Sequence, residues 1–363
     1  MTVDLDRLAE YADFEEHARE TLPQAAYDHL AAGAMGNWTR DENRRAYDRW
    51  VFRKRLMVDV ADTDLSTTAL GTELGFPVML APSAFHKLSH PDGEIASATA
   101  AREMGSLMVL STLASTSLED VAATGVNCWF QLQIHKDREL TTSLAERAEA
   151  AGYRALCLTV DAPNYGIRPA DKRNHIHLPK GVEIANFKDK PLPHHAKGDD
   201  LMAYMWDEME QSCTWDDARW LTEQTALPIV AKGVLTGEEA RRALDAGVSG
   251  IIVSNQGGRQ MDGDPATLDV LPEVVEAVNG EVEVFVDGGI RQGSHVLKAL
   301  ALGARAVLVG RPIYWGLAAG GEPGVHKMLE IFREGLENSL QLAGVKRVSD
   351  IDRSLVMPAP GSH

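Results

Sequence analysis

The feature that most constrains the fold is a rhythm of eight short apolar runs, separated by segments with helical periodicity. The runs are continuous rather than alternating, which is typical of parallel strands covered on both faces. Repetition of such strand-helix units favours an α/β fold, a closed (β/α)8 TIM barrel, over an open doubly wound sheet. The predicted strands are FPVMLA (76–81), LMVLS (107–111), CWFQLQ (128–133), ALCLTVD (155–161), PIVAKG (228–233), GIIVSN (250–255), EVFVDGG (283–289) and AVLVGRP (306–312). The predicted helices cover 92–104, 138–152, 216–225, 237–246, 268–278, 293–302 and 324–343.

The length of 363 residues exceeds the roughly 250 that such a barrel needs. The surplus lies in an N-terminal helical region, residues 1–70, and in an insertion after the fourth strand, residues 162–214. A long loop at that end of a strand is expected to act as a lid or to contact substrate; a surface loop without such a role is the alternative. We predict a single domain over 1–360, with residues 361–363 (Gly-Ser-His) as the remnant of an expression tag.

Charge and composition exclude several function classes. The net charge of -17 would repel the backbone of a nucleic acid. No run approaches the roughly 18 consecutive apolar residues of a membrane span, and the acidic N-terminus lacks the apolar core of a signal peptide, so we expect a cytoplasmic protein. Cys128, Cys157 and Cys213 have no CxxC spacing, which predicts neither a disulfide framework nor a metal site.

Polar residues end the predicted strands, and in such barrels the chemistry is carried by the carboxyl ends of the strands. The seventh and eighth strands lead into DGGIR and GRP, whose glycines and arginines suit a phosphate group. Lys232 ends the fifth strand as either a Schiff-base nucleophile or a fixed cation beside a redox cofactor. The strand-end set comprises Ser83, Ser111, Thr112, Gln131, Gln133, Thr159, Asp161, Lys232, Ser254, Asn255, Gln256, Asp287, Arg291, Gly310 and Arg311.

Longer motifs carry a resemblance to a known family. They are YDHLAAGA (27–34), LTVDAP (158–163), IVAKG (229–233), SNQGGRQMDG (254–263), VFVDGGIRQG (284–293) and LKALALGARAVLVGRP (297–312). In these motifs, and in co-linear order from about Leu5 to about Leu355, the chain closely resembles the FMN-dependent 2-hydroxy-acid oxidases and dehydrogenases. Glycolate oxidase, lactate oxidase and mandelate dehydrogenase belong to that family. The resemblance implies FMN as the cofactor, hydrogen transfer from a small carboxylate substrate to flavin N5, and a homotetramer.

The resemblance also implies roles for individual residues. Lys232 becomes the cation near flavin N1 and the C2 carbonyl. Arg259 binds the substrate carboxylate with help from Arg168, and Asp161 orients the residue at the base position. The residues implied to contact the flavin ring, the ribityl chain or the phosphate are Pro82, Ser83, Ala84, Ser111, Gln131, Thr159, Ser254, Asp287, Gly289, Arg291, Gly310 and Arg311.

Four positions depart from the family pattern on the substrate side. Gln256 replaces the histidine that accepts the substrate's proton, and an amide is no base at neutral pH. Gln133 replaces a tyrosine near the substrate hydroxyl, and His29 replaces the tyrosine that bonds the carboxylate. Leu113 replaces a tryptophan. We therefore expect 2-hydroxy-acid oxidation to be slow unless another group supplies the base.

These departures leave several hypotheses open. In the first, His29 or a histidine of the insertion supplies the base for 2-hydroxy-acid oxidation, with oxygen, a quinone or another carrier as electron acceptor. In others, an amine is oxidised without a base, Gln256 is an engineered substitution, or FMN and a carboxylate bind without turnover. A flavin-free aldolase or isomerase with Lys232 as nucleophile is the hypothesis from a different class. The histidines of the insertion are His175, His177, His194 and His195.

Overall fold

The computed structural model describes residues 3–175, 177–187 and 208–361. Within them, eight parallel strands close into a barrel in which each strand pairs with the next along the chain and the last pairs with the first. The predicted (β/α)8 barrel is thereby confirmed. In chain order the barrel strands are β1 (Val78–Leu80), β2 (Leu107–Leu110), β3 (Asn127–Leu132), β4 (Leu156–Thr159), β5 (Ile229–Val234), β6 (Gly250–Val253), β7 (Glu283–Asp287) and β8 (Val307–Val309).

The alternation of side chains along the strands divides the core into two parts. Met79, Trp129 and Phe285 belong to the cluster that fills the barrel, where the rings of Trp129 and Phe285 meet edge to face with centroids 5.3 Å apart. Val78 and Leu80 belong to the larger cluster between the strands and the helices. Because both faces of the sheet are buried, the strands read as continuous apolar runs.

The seven predicted helices are present, with ends within two residues of those expected. Side-chain caps fix the N-terminal ends of several helices. Asp137 accepts hydrogen bonds from the backbone amides of Glu139 and Leu140, and Thr214 accepts one from that of Asp216. The helices are Tyr11–Thr21, Gln24–Ala31, Trp38–Arg45, Gly93–Glu103, Leu118–Ala122, Arg138–Ala150, Pro169–Arg173, Trp215–Gln224, Gly237–Asp245, Thr267–Val278, Gly293–Ala301, Arg311–Gly320 and Glu322–Ala343.

The N-terminal region departs from its predicted helical character beyond Arg49, where the last of its 3-10 turns ends. Trp50–Phe52 instead pairs with Val356–Pro358, and Thr67–Ala69 forms a hairpin with Thr72–Leu74. Ala69 and Leu74 pack into the cluster that fills the barrel. Tertiary burial therefore decides the conformation of this segment, which local periodicity did not indicate.

The insertion after β4 is described over 162–175, 177–187 and 208–214. It contains the short helix Pro169–Arg173 and the 3-10 turn Ala185–Phe187, and Met209 forms an isolated bridge with His135. The expected histidines His194 and His195 lie outside the described residues, as do Ser362 and His363. None of the helices in the described ranges is long and apolar enough to cross a membrane.

Candidate active site

A solvent-open cavity lies at the carboxyl ends of the barrel strands. Strand ends, helix Gln24–Ala31 and the insertion all contribute to its wall. The predicted site residues on the wall are His29, Pro82, Ser83, Ala84, Ser111, Gln131, Gln133, Arg168, Lys232, Gln256, Arg259, Asp287, Gly289, Arg291, Gly310 and Arg311. Three further predicted residues do not line the cavity but hydrogen-bond residues that do. Thr159 bonds Gln131, Asp161 bonds Gln256, and Ser254 bonds Lys232.

Lys232 and Asp287 form a buried ion pair, with 3.7 Å between Nζ and Oδ2. Ser254 joins them, because its Oγ accepts from Lys232 at 3.1 Å and donates to Asp287 at 2.9 Å. Burial by itself lowers the pKa of Lys232, but the charges of Asp287 and Asp161 more than offset this and raise it. The ion pair and the raised pKa favour Lys232 as a fixed cation over a Schiff-base nucleophile, because that role needs a lowered pKa.

Gln131 forms a neutral hydrogen-bonding section of the wall. Its Oε1 accepts from Ser111 Oγ at 3.2 Å and from the Thr112 amide at 3.1 Å. Its Nε2 donates to Thr159 Oγ1 at 3.0 Å, so the orientation of the amide is fixed by its neighbours. This section can exchange hydrogen bonds with a neutral polar ligand.

Glycine turns follow β7 and β8 at one end of the cavity. Gly289 has φ 74°, and a side chain there would overlap the backbone of Asn43, so the turn requires glycine. Helix Arg311–Gly320 begins at the wall beside Gly310, without a side-chain cap. A helix start of this kind offers backbone N–H groups and a positive dipole end to an anion.

Among the described residues, no carboxylate forms an ion pair with Arg291 or Arg311 at this end. Arg311 donates to the carbonyls of Leu30, Gly257 and Ala32, and Arg291 has a buried Nε with no hydrogen-bond partner in the described structure. Burial, together with the charges of Arg259 and Arg291, lowers the pKa of Arg311 to about 9. Buried cations that repel one another are stabilised by an anion, so this end is built to bind one.

The other end of the cavity centres on Asp171, whose carboxylate joins three side chains. His29 Nδ1 lies 2.9 Å from Oδ1, while Arg168 Nε at 2.7 Å and the Tyr165 hydroxyl at 2.6 Å donate to Oδ2. Burial raises the pKa of Asp171, but hydrogen bonds and charges from His29 and Arg168 lower it to about 2. Asp171 is thus a carboxylate at neutral pH and can only accept hydrogen bonds.

The guanidinium groups of Arg259 and Arg168, at the same end as Asp171, have N–H donors that make no hydrogen bond with the described residues. Arg259 uses Nη1 for the carbonyls of His29 and Ala32, at 2.7 and 2.9 Å. The Ala32 carbonyl also accepts from Arg311, so the two ends of the cavity adjoin at these two arginines. Arg168 uses Nε for Asp171 and stacks over the ring of Tyr165, 4.0 Å from its centroid. Burial lowers the pKa of both arginines, and that of Arg168 falls to about 9. Their remaining N–H groups are available to a carboxylate in the cavity.

Gln256, three residues after the end of β6, takes a left-handed backbone conformation with φ 56°. Its Nε2 donates to Asp161 Oδ1 at 2.9 Å, which leaves Oε1 as the group it can offer a ligand as an acceptor. Burial raises the pKa of Asp161. Gln133 is also buried on the wall, without a hydrogen-bond partner among the described residues.

Comparisons with known proteins agree with this geometry. The sequence profile of the family described as FMN-dependent dehydrogenase matches residues 18–358. The chain belongs to this FMN-dependent family. It is 47% identical to 2-hydroxyacid oxidase 1 of Homo sapiens, over 98% of each chain, and 47% identical to L-lactate oxidase of Nostoc sp., over 95% of this chain and 96% of the relative. A crystal structure of mandelate oxidase matches with TM-score 0.90 and 41% identity, over 97% of this chain and 99% of that one.

The cavity fits the FMN of this family. FMN carries a phosphate, a ribityl chain with hydroxyls and a flat ring with carbonyl and N–H groups. The buried Arg291 Nε and Asp287 Oδ1, which have no partner in the described structure, are polar atoms that such a ligand satisfies. Arg291, Arg311 and the glycine turns suit the phosphate, Gln131 and Ser111 suit neutral groups, and Lys232 suits the ring's developing negative charge.

The four residues that the resemblance marks as departures from the family pattern line the same cavity as Arg168 and Arg259. They are His29, Leu113, Gln133 and Gln256. The insertion histidines do not join them: His175 and His177 are exposed and do not line the cavity. The structure therefore does not bring these two histidines to the site, and whether one of them supplies a base stays a hypothesis.

Three residues around the carboxylate-binding arginines were not predicted from the sequence: Asp171, Tyr165 and Tyr314. Tyr165 and Tyr314 line the cavity, and Asp171 holds His29 and Arg168. The signal for Asp171 was its position three residues after Arg168 on a short helix that begins with a proline. Among the described residues no cluster of His, Cys, Asp or Glu is arranged to hold a metal ion, and Cys128 and Cys157 are buried.

Proposed function

We propose that this chain oxidises a small 2-hydroxy acid to the 2-oxo acid, with FMN as oxidant. The observation that carries the proposal is the pair Arg168 and Arg259, whose unused N–H groups share a cavity with the cofactor residues Lys232 and Arg291. A carboxylate bound by two buried guanidinium groups is fixed in orientation as well as in position. The rest of a small substrate then lies within the same cavity.

Different residues of the chain bind the substrate and stabilise charge on the cofactor. When bound, FMN accepts a hydride equivalent from the substrate carbon. In this proposal Arg259 and Arg168 hold the carboxylate, and Gln133 and Gln256, which line the same cavity, hydrogen-bond the group on C2. The ion pair of Lys232 with Asp287 keeps a positive charge beside the cofactor as electrons arrive.

One observation favours a second candidate, oxidation of an amine such as a 2-amino acid. Gln256 Oε1 is held as an acceptor because Nε2 is bonded to Asp161. A neutral amine has N–H groups for such an acceptor and a lone pair of its own, so no base is required. The two candidates differ in whether the site must accept a proton from the group on C2.

An anaerobic titration separates these candidates. The purified protein is mixed with a panel of L-2-hydroxy acids, the matching amino acids and aryl analogues, while loss of the oxidised flavin absorbance is followed. Reduction by hydroxy acids supports the proposal, and reduction by amino acids alone supports the second candidate. Flavin that no compound reduces indicates a binding protein without turnover, whereas a colourless protein contradicts FMN binding.

Three further properties are part of the proposal. We propose oxygen as electron acceptor, as the oxidases among the relatives suggest, with a quinone or another carrier as the alternative. Exposed consecutive apolar side chains at Leu56, Met57 and Val58 support a homo-oligomer, proposed here as a tetramer. The net charge of -17 and the buried unpaired thiols of Cys128 and Cys157 support a cytoplasmic location.

A further inference from the structure

His29 is held in one tautomer by its neighbours. Its ring is buried on the cavity wall, with Nδ1 2.9 Å from Asp171 Oδ1. Because Asp171 is an ionised carboxylate with a pKa of about 2, the bond needs a hydrogen on Nδ1. In the neutral ring the lone pair therefore lies on Nε2.

The lone pair of Nε2 is available to a ligand. None of the described residues hydrogen-bonds Nε2, and the ring contributes to the wall of the cavity. Burial lowers the pKa of His29, and the charges of Arg259 and Arg168 act in the same direction, while Asp171 opposes them. With these groups and Tyr165 as its charged or titratable neighbours, His29 stays neutral at pH 7 and can accept a proton.

The other titratable groups on the wall are engaged or have the wrong charge. Lys232 and Asp287 are paired with each other, and the arginines are cations. The hydroxyl of Tyr165 donates to Asp171, and that of Tyr314 donates to the carbonyl of Ala84 at 2.5 Å. Asp161 lies behind the wall and accepts from Gln256. Among the described titratable groups lining the cavity, His29 alone combines neutrality with an unused lone pair.

We propose that His29, positioned by Asp171, accepts the substrate's hydroxyl proton in place of residue 256. The O–H bond of the substrate breaks and its proton passes to Nε2, while the O–C2 bond becomes the carbonyl of the 2-oxo acid. The C2–H bond breaks and the hydrogen leaves with both electrons to FMN, the oxidant named above. Asp171 is a positioning residue, since it acts by setting the tautomer of His29. This inference rests on the proposed oxidation of a 2-hydroxy acid.

A competing role for His29 is to bind the carboxylate, as the tyrosine at this position does by the resemblance. That role needs a hydrogen on Nε2, and with Nδ1–H already given to Asp171 it needs a cationic ring. Burial beside Arg168 and Arg259 opposes that charge. The two roles therefore predict opposite protonation at Nε2.

The test combines nuclear magnetic resonance with rapid kinetics on the FMN-loaded protein. With ¹⁵N-labelled histidine, His29, assigned by its loss in His29→Gln, should show Nδ1 protonated and Nε2 bare at pH 7. In Asp171→Asn this preference should weaken, because the carboxylate that fixes the tautomer is gone. A protonated Nε2 at pH 7 in the wild-type protein would overturn the inference without any measurement of activity.

The kinetic arm follows anaerobic flavin reduction by the most active 2-hydroxy acid. His29→Gln should lower the limiting rate about 10² to 10⁴-fold, the usual contribution of a positioned base, and change substrate affinity less than about threefold. The wild-type rate should fall as pH drops through the pKa of His29, and the variant should lose that dependence. His17→Gln, on a helix whose residues at that point do not line the cavity, is the matched control for a histidine-to-glutamine change.

A rescue variant separates loss of a base from loss of folding. Adding Gln256→His to His29→Gln places an imidazole beside Asp161 and should recover at least about tenfold in rate. A His29→Gln variant that keeps its limiting rate but binds hydroxy acids and 2-oxo acids weakly would assign His29 to the carboxylate. If no hydroxy acid reduces the wild-type flavin, the proposed function itself fails; reduction that His29→Gln leaves unchanged defeats only the inference.

Discussion

The two ends of the cavity are built differently. At the cofactor end, the groups are fixed by strand ends, glycine turns and the buried ion pair of Lys232 with Asp287. At the substrate end, Asp171 joins side chains from an N-terminal helix and from the insertion, His29 and Arg168 among them. By the resemblance, the cofactor residues match the family pattern, whereas His29, Leu113, Gln133 and Gln256 depart from it.

The two ends differ in what fixes their side chains. Backbones on barrel strands are fixed by neighbouring strands, so replacing a residue there can disturb the core as well as the ligand. Of the four residues that the resemblance marks as departures, His29 lies on the flanking helix Gln24–Ala31, whereas Leu113, Gln133 and Gln256 follow the barrel strands β2, β3 and β6. The hydrogen bond of Asp171 with His29 joins the insertion to that flanking helix. The proposal for His29 thus keeps the chemistry of the cofactor and moves proton transfer to a residue outside the strands.

The largest effect is expected from Lys232→Met at the cofactor end. The change leaves Asp287 buried without its cation, which typically costs about 3 to 5 kcal/mol of unfolding free energy. We also expect most of the FMN to be lost, as measured by flavin absorbance per protein after gel filtration and by urea unfolding. Lys346→Met, which removes a surface pair with 4.0 Å between Nζ and Asp59, should do neither. A stable, yellow Lys232→Met protein would show that the cofactor end does not depend on this pair.

The next effect is expected from Arg259→Met at the substrate end. Loss of charged hydrogen bonds to the carboxylate, worth about 1.5 to 3 kcal/mol, should weaken binding of a 2-oxo acid roughly 10 to 150-fold. Binding is measured by the change in flavin absorbance on titration, and FMN content should stay constant. Arg305→Met is the control because Arg305 pairs with Glu283 and does not line the cavity. Loss of FMN in Arg259→Met would show that Arg259 also contributes to cofactor binding, and that the two ends are not separate in function.

A smaller effect concerns pH and His295, whose Nδ1 accepts the amide of Arg291 and whose ring stacks on Tyr47. Burial, with the charges of Lys298 and Arg291, lowers the pKa of His295 to about 3. The unfolded chain, with a histidine pKa of about 6.5, binds the extra proton between pH 6.5 and 3, so the folded state loses stability as pH falls through that window. From pH 7 to 5 this group contributes a loss of roughly 2 kcal/mol.

In His295→Asn, unfolding between pH 7 and 5 should take up about one proton fewer than in the wild type. The unfolding free energy, measured by urea unfolding at each pH, should therefore decline less steeply as the pH falls. His175→Asn, at an exposed position, is the matched control for a histidine-to-asparagine change. An unaltered slope in His295→Asn would mean that acid lability arises elsewhere, with His29 at the substrate end the next group to replace.

The smallest effect is expected from Tyr165→Phe. The change removes the hydroxyl that donates to Asp171 at 2.6 Å but keeps the ring on which Arg168 stacks. A hydrogen bond of this kind contributes about 0.5 to 1.5 kcal/mol, so kcat/KM should fall roughly 2 to 10-fold. Tyr153→Phe, whose hydroxyl bonds the Leu118 carbonyl away from the cavity, should leave kcat/KM unchanged. A loss as large as that expected for His29→Gln would mean that Tyr165 takes part in proton transfer.

The barrel and most of the cofactor end could be predicted from sequence because their signals are local. A strand buried on both faces must be apolar along its length, and a turn such as Gly289 must be glycine, so both are visible in a few adjacent residues. The hairpin Thr67–Leu74 could not be predicted in this way, since it exists because Ala69 and Leu74 complete the core of the barrel.

For this protein the sequence by itself determined the (β/α)8 fold, the FMN-dependent family and the absence of a histidine at residue 256. Tertiary structure decided that Lys232 is a fixed cation, because Asp287 and Asp161 lie beside it. It also brought Asp171 to His29, 142 residues away in the chain. A pKa and a tautomer depend on burial and on charges a few ångströms away, and these distances are set by the packing of elements that are far apart in sequence.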